Sequence, residues 1–123
     1  RDPVPYYEKA SVLVASSLGW ENFPTVILEA MRHGVAVIGR DLGGVSELIS
    51  HNRNGLLYQD QSDLIKHLTH LISNHKTIRS MGDCGRRDFL NNYQLETCLN
   101  RYLELYQSQL NDLSSASAAV SSF

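Results

Sequence analysis

Three short apolar runs constrain this chain most. They are SVLVAS at 11–16, VAVIG at 35–39 and GLLY at Gly55–Tyr58. Each is continuous rather than alternating, and the first two are rich in valine. A strand with water on one face alternates apolar with polar residues. A continuous run suits a strand covered on both faces, as in a parallel sheet. Helical segments separate the runs. Residues 22–33 read as a helix closed by Gly34, with Asn22 as its N-cap and Pro24 in its first turn, where no hydrogen bond is lost. Gly43-Gly44 open a second helix that runs to about Ser50, and HNRNG makes the turn into the third strand. Pro5 suits the first turn of a short helix over 6–10. Strand, helix, strand, helix, strand is the pattern of an α/β fold with a parallel sheet.

Beyond Tyr58 the strands stop. Residues 62–73 place Leu64, Ile65, Leu68, Leu71 and Ile72 at helical spacing. Residues 75–90 read as a more polar helix that Gly82 and Gly85 weaken. Residues 95–110 form a third, with Leu99, Tyr102, Leu103, Tyr106 and Leu110 on one face, whose tyrosines are expected to pack in a core. Residues 1–110 are expected to form one domain, and 111–123, ending in SSASAAVSSF, a tail without fixed structure. Three strands are few for a sheet covered on both faces, and the chain opens without Met straight into a short helix and a buried strand. The expectation is a partial, three-layer Rossmann-like sheet with a helical C-terminus, lacking strands on its N-terminal side.

Bulk properties exclude several function classes. The chain has 123 residues and a net charge of −2, so a nucleic-acid surface is not expected. No apolar run approaches the roughly 18 residues of a membrane span, and no signal peptide opens the chain. Two cysteines, Cys84 and Cys98, are too few for a disulfide framework or a zinc cluster. A cytoplasmic setting is expected, and contact with the inner face of a membrane stays open.

Two carboxylates carry the functional reading. GWENFP, at 19–24, places Glu21 just before the 22–33 helix, and Glu29 stands inside it. The free N–H groups near Phe23, Thr25 and Val26, with the helix dipole, make an anion site just after the carboxyl end of a strand. Val26, Ile27, Leu28, Ala30 and Met31 surround Glu29, which suggests a buried helix and a carboxylate in need of a partner. Glu29 lies about 9–10 Å along the axis from the expected helix start. That distance suits a ribose diol whose phosphate rests on the helix, and Glu21 could accept hydrogen bonds from a group beyond the far phosphate. The pattern fits a nucleotide-sugar. One alternative stays open: Glu29 pairs with Arg32 or Arg40, and Glu21 is a solvated loop acid.

Residues 6–58 resemble the nucleotide-sugar half of retaining glycosyltransferases of family four, the glycosyl transferases group 1, whose fold is the two-domain GT-B type. Glu21 and Glu29 meet the E-x7-E motif. Ala30, Met31, Gly34 and Val37 continue it, and Asp41, Gly43, Gly44 and Glu47 match D-x-GG-x-x-E. The later helices and RYLELY at 101–106 resemble the end of the same domain. The resemblance implies that Glu29 binds the ribose hydroxyls. It implies that Glu21 binds the donor sugar at the catalytic centre, and that Asn22, Phe23, Pro24, Thr25 and Val26 line the diphosphate site. It further implies a nucleoside-diphosphate sugar as donor, front-face displacement with retention, no metal and no other cofactor. Two residues depart from the pattern: Pro24 stands where Gly is frequent, and Ser16 where Pro is frequent. The family's basic pair against the diphosphate and its acceptor domain both lie upstream of the first residue, so the chain alone is expected to be inactive. Peripheral membrane contact through that domain stays open. A non-catalytic glycosyltransferase-like partner or scaffold is the alternative function. Self-association through an open sheet edge is also expected.

Smaller signals read plainly. His67 and His70 stand i, i+3 but have no acid or Cys nearby in sequence, so a solvated face is expected rather than a metal pair. Gly43-Gly44 read as a tight loop near the donor pocket.

Overall fold

The computed structural model describes residues 2–122. The chain divides into two compact units, one reaching Leu90 and the other starting at Asn91.

The first unit is built on three parallel strands, β1 (Val12–Ala15), β2 (Ala36–Arg40) and β3 (Gly55–Tyr58), in the order β1-β2-β3. Val14, Ile38 and Leu56 are in register, as are Leu13, Val37 and Gly55. Side chains alternate across a strand, so these two rows belong to opposite faces of the sheet. On one face Ala36, Ile38, Leu56 and Tyr58 meet Leu71 and Met81, with Val12, Val14, Leu64, Leu68 and Ile78 packed around them. Those partners come from α4 (Gln61–Ile72) and α5 (His75–Asn92). The other face is covered by α2 (Thr25–Arg32) and α3 (Val45–Leu48). There Gly39 gives the space: a Cβ on it would stand 2.6 Å from Ile49 and 2.7 Å from Val45. The architecture is the expected three-layer α/β one, helices on both faces of a parallel sheet.

Local chemistry explains where the elements begin and end. The short α1 (Val4–Tyr7) carries Pro5 in its first turn. Helix α2 starts at Thr25, not at Asn22. Pro24 is its N-cap, in an extended conformation with ψ 101°. A proline disfavours helical geometry in the residue before it. Phe23 is thereby kept out of the helix, and Asn22 does not cap it. The helix closes as a Schellman motif: Gly34, at φ +71°, donates to Met31, and Val35 donates to Ala30. Asp60 caps α4 by accepting from the Asp63 N–H at 2.9 Å.

Helix α5 shows what its glycines do. Gly82 and Gly85 are buried. A Cβ on Gly82 would overlap the Gly34 carbonyl, and one on Gly85 would crowd Met31 at 3.2 Å. They cost local propensity but allow α5 to lie against the α2–β2 turn. The outer edge of β3 is also sealed. The Leu57 N–H donates to His51 Nδ1 and its carbonyl accepts from His67 Nε2, both at 2.9 Å. His67 is thus half-buried at a strand edge rather than on a solvated face.

The second unit consists of the last residues of α5 and α6 (Leu95–Ser121). The helix continues through the segment where the sequence reading expects an unstructured tail from residue 111. Alanines favour helix, and the serine hydroxyls find partners in the preceding turn, Ser115 with the Asn111 carbonyl and Ser121 with that of Ser117. No residue of α6 is buried, and Tyr102 and Tyr106 are exposed, so its apolar face does not form the core expected of it. Among the described residues no helix is long and apolar enough to cross a membrane.

Candidate functional site

The site is assembled where β1 ends. After Ala15 the chain crosses the carboxyl end of the sheet and enters α2 at Thr25. The β2–α3 loop supports this crossing. Gly44 donates its N–H to the Glu21 carbonyl at 2.7 Å. Gly43 holds φ +60°, and a Cβ there would meet the same carbonyl at 2.5 Å. A Cβ on Gly44 would overlap the Asn22 carbonyl. The expected tight loop is therefore the seat on which residues 21 and 22 rest, and only glycine fits it.

Glu21, Asn22, Phe23, Pro24, Thr25 and Val26 together line an open depression of about 400 Å³. The half-buried Glu21 is oriented by Ser17, whose hydroxyl donates to Oε1 at 2.6 Å. Thr25 and Val26 occupy the first two helical positions, where an α-helix offers their N–H groups no carbonyl. With the macrodipole they present a positive end to the depression. Pro24 is buried and brings no donor.

Glu29 is not in the lining of this depression, nor is it buried. Thr25 and Val26 are exposed, and Glu29, one turn on from them, is exposed on the same side of α2, while Ile27, Ala30 and Met31 are buried. The helix has a buried side and a solvent side. The spacing from Thr25 to Glu29 is about 6 Å along the axis, shorter than the value expected from a start at Asn22.

The partner of Glu29 is neither arginine. Among the described residues no ion pair joins it to Arg32 or Arg40. Instead the Tyr7 hydroxyl donates to Glu29 Oε2 at 2.8 Å. Tyr7 is buried and its ring stacks on His33, centroids 5.6 Å apart and planes 10° from parallel. Burial first, and then the carboxylate beside it, push the Tyr7 phenol up to about 12. Sequence reasoning missed Tyr7, which is 22 residues from Glu29 and carries no spacing signal. Arg40 lines a different depression, of about 280 Å³, with Ser16, Tyr58 and Asp60. Among the described residues no group of three His, Cys, Asp or Glu could hold a metal ion.

Parallel strands, a depression at their carboxyl ends and a helix start facing it define a Rossmann-like α/β half. The family model described as glycosyl transferases group 1 matches residues 1–74, and the chain belongs to that family. It is 31% identical over 94 residues to N-acetyl-alpha-D-glucosaminyl L-malate synthase of Bacillus anthracis, an alignment covering 75% of this chain and 25% of that protein. It is 28% identical over 102 residues to trehalose synthase of Thermococcus litoralis, covering 83% and 25%. Among solved structures, sucrose-phosphate synthase from Thermosynechococcus elongatus superposes with a TM-score of 0.80 at 27% identity, over 89% of this chain and 28% of that one. Anabaena Alr3699/HepE in complex with UDP superposes at 0.82, over 88% and 30%; at 22% identity it attests the fold alone. These neighbours identify the sheet as that of the GT-B C-terminal half. The chain spans about a quarter of the length of the curated relatives named here.

Proposed function

We propose that this glycosyltransferase domain binds a nucleoside-diphosphate sugar and serves a retaining transfer of that sugar to an acceptor hydroxyl. One observation carries the reading. Glu21 stands beside the free N–H groups at the start of α2, at the carboxyl end of β1, and Glu29 is exposed one turn further along the same side of the helix. Glu29 accepts the ribose diol, the Thr25 and Val26 amides meet the diphosphate, and Glu21 accepts hydroxyls of the donor sugar. Front-face displacement follows: the acceptor oxygen attacks the anomeric carbon on the side from which the diphosphate departs. The helix start stabilises the leaving charge. Support for the donor class comes from the fold neighbours, where Anabaena Alr3699/HepE holds UDP and UDP-glucose.

Charge limits what residues 21–29 can do. Two carboxylates and a diphosphate face a helix end worth roughly half a positive charge. Cations from outside this stretch must complete the site, and they are side chains rather than a metal. The chain alone binds weakly and does not turn over.

Calorimetry with the full-length gene product tests this. Glu29→Ala weakens UDP binding by roughly ten- to a hundredfold, the value of one charge-assisted hydrogen bond or slightly more. The 2′,3′-dideoxy analogue binds the unmutated protein with the same loss, and the mutant loses little further. Glu21→Ala reduces the preference for UDP-glucose over UDP. All of this survives dialysis against EDTA. Losses that simply add for Glu29 and the missing hydroxyls remove the diol contact.

A further inference from the structure

We infer that Tyr7 is the positioning residue for Glu29: its hydroxyl sets the carboxylate for the nucleotide's diol. The inference rests on the diol reading above and assigns a role to a residue outside the helix and loop that form the site. Glu29 is an exposed side chain on a helix surface, and three rotatable bonds would let it sweep through solvent. One contact fixes it, the Tyr7 hydroxyl on Oε2 at 2.8 Å.

The support beneath that contact is rigid. Tyr7 is 8% exposed and ends α1. Its ring lies flat against His33, the C-cap of α2. Glu29 and His33 are four residues apart and share a face of the helix. The tyrosine therefore lies along one turn of α2, ring on His33 and hydroxyl on Glu29, and cannot swing without leaving both. A hydroxyl hydrogen can only be donated here, so the carboxylate remains an acceptor.

The contact leaves room for a ligand. An ionised carboxylate has about four lone-pair sites. Tyr7 takes one of them on Oε2, which leaves Oε1 untouched and a second site on Oε2. A vicinal diol needs two. Holding the acceptor in place before the nucleotide arrives removes an ordering cost from binding. That saving exists only for ligands that carry the diol.

The test uses UDP and 2′,3′-dideoxy-UDP on the full-length gene product, with thermal unfolding measured for every variant. Tyr7→Phe keeps the ring and its stack and removes only the hydroxyl. It is expected to weaken UDP by about three- to tenfold, less than the loss of a direct charge-assisted contact because Tyr7 acts through Glu29, and to leave the dideoxy analogue within twofold. In a Glu29→Ala background it should add nothing. His33→Ala, which removes the stack and keeps the hydroxyl, should give a smaller loss of the same kind. A merely structural tether of α1 to α2 would lower the unfolding midpoint and shift both nucleotides equally. That result overturns the inference. So does a Tyr7→Phe protein that discriminates the two nucleotides as well as the unmutated one, while Glu29→Ala does not. If Glu29→Ala itself leaves the discrimination intact, or the unmutated protein does not bind UDP, the diol reading falls and takes the inference with it.

Discussion

Asp88 shows how much one side chain can organise. It receives both arms of Arg53, at 3.1 and 2.7 Å, and the amide of Asn54 at 2.7 Å. Asn54 is 2% exposed, and also donates to the Leu48 carbonyl and accepts from the Ser50 N–H. The turn that delivers β3 to the sheet is thus pinned to α5. Burial pushes the Asp88 carboxyl up, but hydrogen bonds from Arg53 and Asn54 and the attraction of Arg53 and Arg87 outweigh it. The net result lies below the ordinary carboxylate value. A carboxyl held lower in the folded state contributes stability that is complete above its unfolded value and is lost as pH falls through the folded one. Asp88→Ala should therefore cost about 1–3 kcal/mol near neutral pH, the range for stranding a buried donor. It should also flatten the loss of stability on acidification below about pH 4. Urea unfolding of both proteins against pH measures this, and parallel acid profiles would remove Asp88 from the account. At the same scale, sequence identified Glu21 and Glu29 as the acids of interest. It misjudged the setting of Glu29, because the apolar neighbours Val26 and Leu28 lie on or near the solvent side of α2.

Among the elements, the β2–α3 loop bears most directly on the site. Its glycine pair was legible as a tight loop, since two adjacent glycines have few other uses. What presses on it was not, because the Glu21–Asn22 backbone comes from another segment. Gly44→Ala would force the Cβ into the Asn22 carbonyl, and the crossing loop must move. The expected result is a folded protein whose UDP affinity falls tenfold or more, as a loop shift of about an ångström can cost two decades in a positioned site. Unchanged binding, measured by calorimetry on a variant of normal unfolding midpoint, would show that the loop is not the seat of the site. The same lesson holds in α5, where Gly82 reads as a weak point in sequence and is a close approach in the fold.

For the whole molecule, the two edges of the sheet differ. His51 and His67 occupy the polar groups of Leu57 on the β3 side. β1 pairs with β2 alone, and its other edge has no strand beside it among the described residues. An uncovered strand edge invites pairing, and α6 adds the exposed Leu99, Leu103, Tyr106, Leu110 and Leu113. We expect the 123-residue chain by itself to associate. Its sedimentation coefficient and unfolding midpoint should both rise with protein concentration. A monomer with a concentration-independent transition would refute this.

The sequence alone determined the strands, their parallel arrangement and the order of the helices. Those depend on local pattern: continuous apolar runs, helical spacing and glycines at helix ends. Motif spacing within one segment also singled out Glu21, which lines the depression, and Glu29, which stands outside that lining on the exposed side of α2. The tertiary structure decided what lies between distant segments. It placed Tyr7 on Glu29, set Gly43 and Gly44 beneath Glu21, and turned two histidines into an edge seal. Each of those contacts depends on the relative placement of elements rather than on the residues beside it in the chain, so no periodicity encodes it.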